Sequence, residues 1–178
     1  FSAREIDEKA GGNFKLVANL PYYITTPVIF KFLECENLTS ATIMVQKEVA
    51  ERFAAQPGKK EYGAITVSLN YYGNVRNAFI VPRHMFIPQP DVDSAVVDIQ
   101  PWVQKPLQAD NEELFHRLVK AAFGQRRKTL NNALKTLNMD AALLQEALAQ
   151  VNIDGTRRGE TLSVAEFVAL SNAIGERI

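Results

Sequence analysis

Between residues 14 and 100 short apolar runs alternate with stretches of helical period, and after Pro101 the alternation stops. Residues 14–19, 41–46, 75–81 and 94–100 have the length and apolar content of strands. Between them, Val28, Ile29, Phe32 and Leu33 fall at helical spacing behind Thr25, Thr26 and Pro27, which suit a capped first turn. Residues 47–55 and 63–72 also read as helices. Such alternation predicts an α/β sheet, mostly parallel and closed by a hairpin. Residues 101–106 hold Pro101, Pro106 and the lone Trp102, and a boundary is expected there, giving domains 1–103 and 104–178. Everything beyond reads as helix: 112–123, 128–137, 141–150 and 163–174, the last with Ser163 as cap and Glu166 at the capping-box position.

Composition narrows the class. With 47% hydrophobic and 22% charged residues, the 178-residue chain can bury a sizeable core. No apolar run approaches the ~20 residues needed to cross a membrane. Cys35 is the only cysteine, so no internal disulfide forms, and no Cys/His cluster offers a metal site. It reads as a small apolar filler in a reducing, cytoplasmic setting. His84 and His116 read as structural or surface residues. The formal net charge is zero, so global charge makes no case for nucleic acid. Local charge does, because residues 124–137 carry Arg126, Arg127, Lys128 and Lys135 and no acid.

Three stretches carry possible chemistry. In "VANLPYYITTP", residues 17–27, a strand expected to be buried ends in Asn19-Leu20-Pro21-Tyr22. Ligands of open α/β sheets sit at the carboxyl ends of strands. Asn19 offers an amide acceptor and donors. Pro21 holds Leu20 extended, leaving the Leu20 and Pro21 carbonyls to face a pocket. Acceptors beside an aromatic ring suit a planar ligand with an exocyclic amine, such as adenine, with Tyr22 stacked on it. The other reading is a structural strand-to-helix turn. In "HMFIPQPDVDSAVV", residues 84–97, Phe86 sits in a loop stiffened by Pro88 and Pro90, either as ligand contact or as hydrophobic anchor. Asp91 and Asp93 there read as turn caps rather than a metal pair. In "FGQRRKTLNNAL", residues 123–134, consecutive Arg126, Arg127 and Lys128 would fan around a helix, as a phosphate contact or a solvated helix start.

Taken together, "NLPYYITTPVIFKFL", "VQKEVAERFAA", "YGAITVSLNYY", "FIPQPDVDSAVV" and "FGQRRKTLNNAL" resemble, in the same order, segments of the ribosomal RNA adenine dimethyltransferases. The closing "RRGETLSVAEFVALSNAI" is similar to that family's C-terminus. Within the family the chain looks most like the bacterial small-subunit group, whose loss gives kasugamycin resistance, and less like the large-subunit group. The resemblance implies a Rossmann-like S-adenosylmethionine-dependent methyltransferase sheet, its C-terminal half only, followed by a small all-helical, rRNA-facing domain. It implies methyl transfer to N6 of two adjacent adenosines of small-subunit rRNA. It also implies roles: the Asn19 side chain and Leu20 carbonyl accept from the target amine, with Pro21 in the same motif. Tyr22 stacks on the base, Phe86 covers its other face, and Asn19 lies beside the cofactor's methionine end. Arg126, Arg127 and Lys128 would meet rRNA. The family's glycine-rich cofactor loop and acidic ribose partner have no counterpart, since no Gly-x-Gly-x-Gly occurs. The chain is therefore expected to be the target-base half of a longer enzyme, to bind S-adenosylmethionine weakly alone, and to leave one sheet edge free. A non-catalytic rRNA- or ribosome-binding module is the competing expectation.

Overall fold

The computed structural model describes residues 2–21 and 23–178; Tyr22 therefore lies outside the described residues. The chain divides into two compact units, residues 1–54 with 72–104, and residues 55–71 with 105–178. The second unit thus takes in residues 55–71, which a single division at 103/104 assigns to the first.

The first unit begins with a helix that the sequence reading left as an uninterpreted terminus. Helix α1 (Ala3–Ala10) has a complete capping box: the Ser2 hydroxyl accepts from Glu5 N, and Ser2 N donates to the Glu5 carboxylate at 2.6 Å. It ends at Gly11, whose φ of 68° is the left-handed conformation glycine adopts without strain. Asp7 on this helix accepts from the backbone N–H groups of Glu36 and Asn37, at 2.9 and 3.1 Å. That contact fixes the turn leading into the central strand. Cys35, in the same turn, is buried, and burial pushes its thiol pKa up.

Four strands follow: β1 (Phe14–Asn19), β2 (Leu38–Gln46), β3 (Gly73–Val81) and β4 (Ser94–Pro101). Their spatial order is β1-β2-β4-β3. Only β1 and β2 run parallel; β4 is antiparallel to both β2 and β3. The sheet is therefore mixed, not mostly parallel, because β4 returns between β2 and β3 by way of the residue 82–93 loop. Helix α2 (Thr25–Leu33) packs on β2, and α3 (Lys47–Phe53) packs on β2, β3 and β4.

One face of the sheet is buried. Ala41, Ile43 and Val45 of β2 stand beside Ile99, Val97 and Ala95 of β4, and all six are core residues. The opposite face is more open. There Thr42 donates to Asp98 at 2.9 Å, and Arg76 pairs with Asp98 at 2.8 Å. Strand β1 alternates half-buried and exposed positions, and Val17 is 78% exposed. The expectation of a buried first strand is thus corrected. As an edge strand β1 has only β2 beside it, and Lys15, Val17 and Asn19 lie on the open face. Gly73, at the start of β3, has a positional reason: a Cβ there would meet the Gln100 carbonyl oxygen at 2.6 Å.

The second unit contains α4 (Ala64–Tyr72, whose last residue belongs to the first unit), α5 (Glu112–Gly124), α6 (Leu130–Ala133), α7 (Ala141–Gln150) and α8 (Val164–Gly175). Its described elements are helices and turns. Phe115, Leu118, Leu130, Leu134, Phe167 and Leu170 are fully buried, and the Tyr71 and Phe115 rings pack with centroids 4.6 Å apart. Tyr62 donates to the Leu162 carbonyl at 2.6 Å, and burial pushes its phenol pKa well up. The single helix expected over 128–137 is instead α6 followed by a 3₁₀ turn, Leu134–Leu137, closed by Asn138 in the left-handed region.

Helix α8 begins as expected, with Ser163 capping and Glu166 bonding back. Glu166 also accepts from Arg157 at 2.5 Å, and that guanidinium is the main reason its carboxyl pKa lies below the ordinary value. A carboxyl lowered on folding stabilises the fold above its ordinary pKa of 4.5, and the contribution is lost as pH falls through the folded value. In pH-dependent denaturant unfolding, Glu166→Gln is expected to lower stability at pH 7 and to lose less further stability than wild type below pH 4.5.

Candidate functional site

The carboxyl end of β1 and the loop joining β3 to β4 meet on the first unit. Asn19 stands opposite Met44 in the parallel β1–β2 ladder, and Ser94 opposite Gln46 in the antiparallel β2–β4 ladder. The intervening loop leaves β3 at Pro82, makes a 3₁₀ turn over Arg83–Met85, and turns extended at Phe86 before a cis Ile87–Pro88 bond. Its two ends are tied together. Arg83 N donates to the Asp93 carboxylate at 2.9 Å, and the Arg83 guanidinium to the Asp91 carbonyl at 3.1 Å. Lys47 N, at the start of α3, donates to the Asp93 carbonyl at 3.0 Å. The loop is therefore held at its base by backbone and carboxylate contacts, as the turn-cap reading of Asp93 requires.

A cavity of about 160 Å³ results, lined by Asn19, Met44, Phe86, Pro88, Pro90 and Ser94. Asn19 and Phe86, far apart in sequence, thus line one site. Leu20 and Pro21 do not line it. The Pro21 carbonyl, expected to face a pocket, accepts from the Thr25 hydroxyl at 3.0 Å and from Ile24 N at 3.1 Å. Thr25 does this as the first residue of α2, not as its cap; the cap position is Ile24, with no side-chain bond. Pro27 does lie in the first turn. Among the described residues the Leu20 carbonyl and the Asn19 amide have no hydrogen-bond partner, so both remain available to a ligand. Tyr22 lies outside the described residues.

Chemically the cavity is mixed, with polar and apolar surface in similar amounts. A thioether, a phenyl ring and two proline rings form the walls, and Asn19 and Ser94 supply amide and hydroxyl. None of these six side chains is a general base near neutral pH. The site suits chemistry that needs orientation rather than proton abstraction. Its volume fits one ring system and is below the ~300–1,000 Å³ of pockets that enclose a drug-sized ligand or cofactor. The lining residues therefore have room for a single ring and do not enclose a whole nucleoside cofactor. Met44 and Ser94 were not singled out from sequence, where they read only as strand residues. Among the described residues no group of three His, Cys, Asp or Glu could hold a metal ion, and no helix is long and apolar enough to cross a membrane.

The basic run behaves differently from its reading on a helix. Residues 125–127 form a turn and Lys128 a bend between α5 and α6. Arg126 folds back and donates to the Lys60 carbonyl at 2.7 Å and the Tyr62 carbonyl at 3.4 Å, with Glu160 at 3.5 Å. Arg127 and Lys128 are exposed, with no ion pair among the described residues.

Residues 2–174 match the ribosomal RNA adenine dimethylase family. The chain belongs to this family. It is 49% identical over 174 residues to ribosomal RNA small subunit methyltransferase A of Clostridioides difficile, covering 97% of this chain and 60% of that protein. The Alkaliphilus oremlandii protein of the same name is 49% identical over 177 residues, covering 97% of the chain and 62% of its own length. The chain thus spans about 60% of the length of these curated relatives. Among solved structures, a dimethyladenosine transferase from Plasmodium falciparum superposes with a TM-score of 0.76 at 28% identity, covering 88% of this chain and 65% of that one. The 23S rRNA methyltransferase ErmE shares the fold, with a TM-score of 0.69 at 21% identity over 92% of this chain and 66% of its own.

The contacts of Arg126 generate a test of which cation is structural. Arg126→Ala is expected to lower unfolding free energy by about 1 kcal/mol, since it strips charge-assisted bonds from backbone carbonyls. Arg127→Ala should stay within about 0.5 kcal/mol of wild type. Equal effects in chemical denaturation would contradict the assignment.

Proposed function

We propose that this chain forms the target-base and rRNA-facing part of a small-subunit rRNA adenine N6-dimethyltransferase acting in the cytoplasm during ribosome assembly. The first unit is then the C-terminal portion of a Rossmann-like methyltransferase sheet, and the second an all-helical rRNA-facing domain. Family membership supports the class. The observation that carries the site is the cavity joining Asn19 to Phe86.

In this reading the adenine leaves its stack and enters the cavity against Phe86, and stacking by Tyr22 is what the family resemblance implies. The Asn19 amide oxygen accepts one N–H bond of the exocyclic amine, and the Leu20 carbonyl, which follows Asn19 directly but does not line the cavity, accepts the other, turning the lone pair outward. Holding the amine this way supplies alignment, which is most of what such a transfer asks of the protein. S-adenosylmethionine, the methyl donor of this enzyme class, brings an electrophilic methyl group with a sulfonium leaving group. In this reading Asn19 would lie beside that end. Arg127 and Lys128 contact rRNA phosphates, while Arg126 positions their turn.

The test is transfer of labelled methyl from S-adenosylmethionine to unmethylated small ribosomal subunits by the product of the complete coding sequence. Label recovered as dimethyladenosine is expected; tight subunit binding without label would favour a non-catalytic binding module instead. Asn19→Ala is expected to lower transfer by roughly 10²-fold or more, a loss comparable to removing one well-placed polar group from an active site. Because its side chain is exposed and has no hydrogen-bond partner among the described residues, rRNA binding and thermal stability should be unchanged. Unchanged turnover would remove Asn19 from the site.

A further inference from the structure

The second unit carries a groove that the base site and the Arg126–Lys128 turn leave unused. Residues 114–139 contain Arg117, Lys120, Arg126, Arg127, Lys128 and Lys135, and no aspartate or glutamate. Arg126 is occupied by carbonyl oxygens and Glu160. The other five are exposed, and none makes an ion pair among the described residues. Positive charge therefore gathers on this arc, flanked in sequence by Glu112, Glu113 and Asp140, on a chain whose total formal charge is zero.

Within the arc lies a groove of about 380 Å³. Arg117, Lys120, Ala121 and Gly124 of α5, with Gln125 just after it, form one side, and Thr136 and Leu137 of the 3₁₀ turn form the other. Arg117 and Lys120 are three residues apart on a helix, so they project on one face. The Thr136 hydroxyl donates to the Ala133 carbonyl at 2.9 Å, which leaves its oxygen as an acceptor. Gln125 brings an amide with both donor and acceptor. Gly124 adds no side chain to the groove, and a Cβ there would meet open space.

We propose that this groove seats a length of RNA sugar-phosphate backbone, with phosphates on Arg117 and Lys120 and a ribose 2′-hydroxyl on Thr136. The proposal rests on the rRNA reading above and adds to it a second contact, separate from the Arg127–Lys128 turn. Two unpaired cations beside a hydroxyl acceptor match a phosphate followed by a ribose. An acidic protein segment would use the cations but would bring no sugar hydroxyl to Thr136.

The experiment measures binding of the complete coding-sequence product to small-subunit rRNA across a salt series. It compares wild type, Arg117→Gln/Lys120→Gln and Gly124→Trp, each checked by thermal melting. The double variant should lose two phosphate contacts, so the slope of log K against log[salt] should become shallower by about 1.4–1.8. Gly124→Trp, which fills the groove without changing charge, should weaken binding about tenfold. Wild-type slope and affinity in both folded variants would overturn the groove while leaving the rRNA reading intact. No rRNA binding by the wild-type protein would overturn both.

Discussion

The register of β2 with its two neighbours sets the whole candidate site. Asn19 lies opposite Met44, and Ser94 opposite Gln46, so the end of β1 and the start of β4 reach the same end of the sheet. What fixes that register is burial of one face: Ile43 against Val97 and Val45 against Ala95, all close to fully buried. A slip of one residue would turn these apolar side chains to the open face and carry Asn19 away from the cavity. The loop from β3 to β4 then has one way to close, over Met44, and Asp93 and Arg83 hold it there. The site is thus a consequence of core packing on the opposite side of the same strands.

Charge follows a comparable division of labour in the second unit. Arg126 and Arg157 are used inside the fold, on backbone carbonyls and on Glu166. Residues 114–139 supply no acid to pair with the remaining cations. A protein that needed those cations only for solubility would be expected to intersperse both signs, as α1 and α3 do with their Arg4–Glu8 and Arg52–Glu48 pairs.

Much of this was readable before any coordinates. The strands, the helix over residues 64–72 and the start of α8 at Ser163 follow from periodicity and capping chemistry, and motif order singled out Asn19 and Phe86, which line one cavity. The place of β4 did not: a closing hairpin sets it antiparallel to β3, but an apolar run such as "SAVVDIQ" does not reveal that it inserts beside β2. The exposure of Val17 was hidden for a related reason: a β-branched residue suits either face of an edge strand. Helix α1 was legible in principle, since Ser2 and Glu5 have the capping-box spacing, but the apolar stripe that usually accompanies the signal is weak in this segment. Arg126 is the instructive failure. Three adjacent basic residues invite one shared role, yet a turn points neighbouring side chains in different directions, and only the first meets Lys60 and Tyr62.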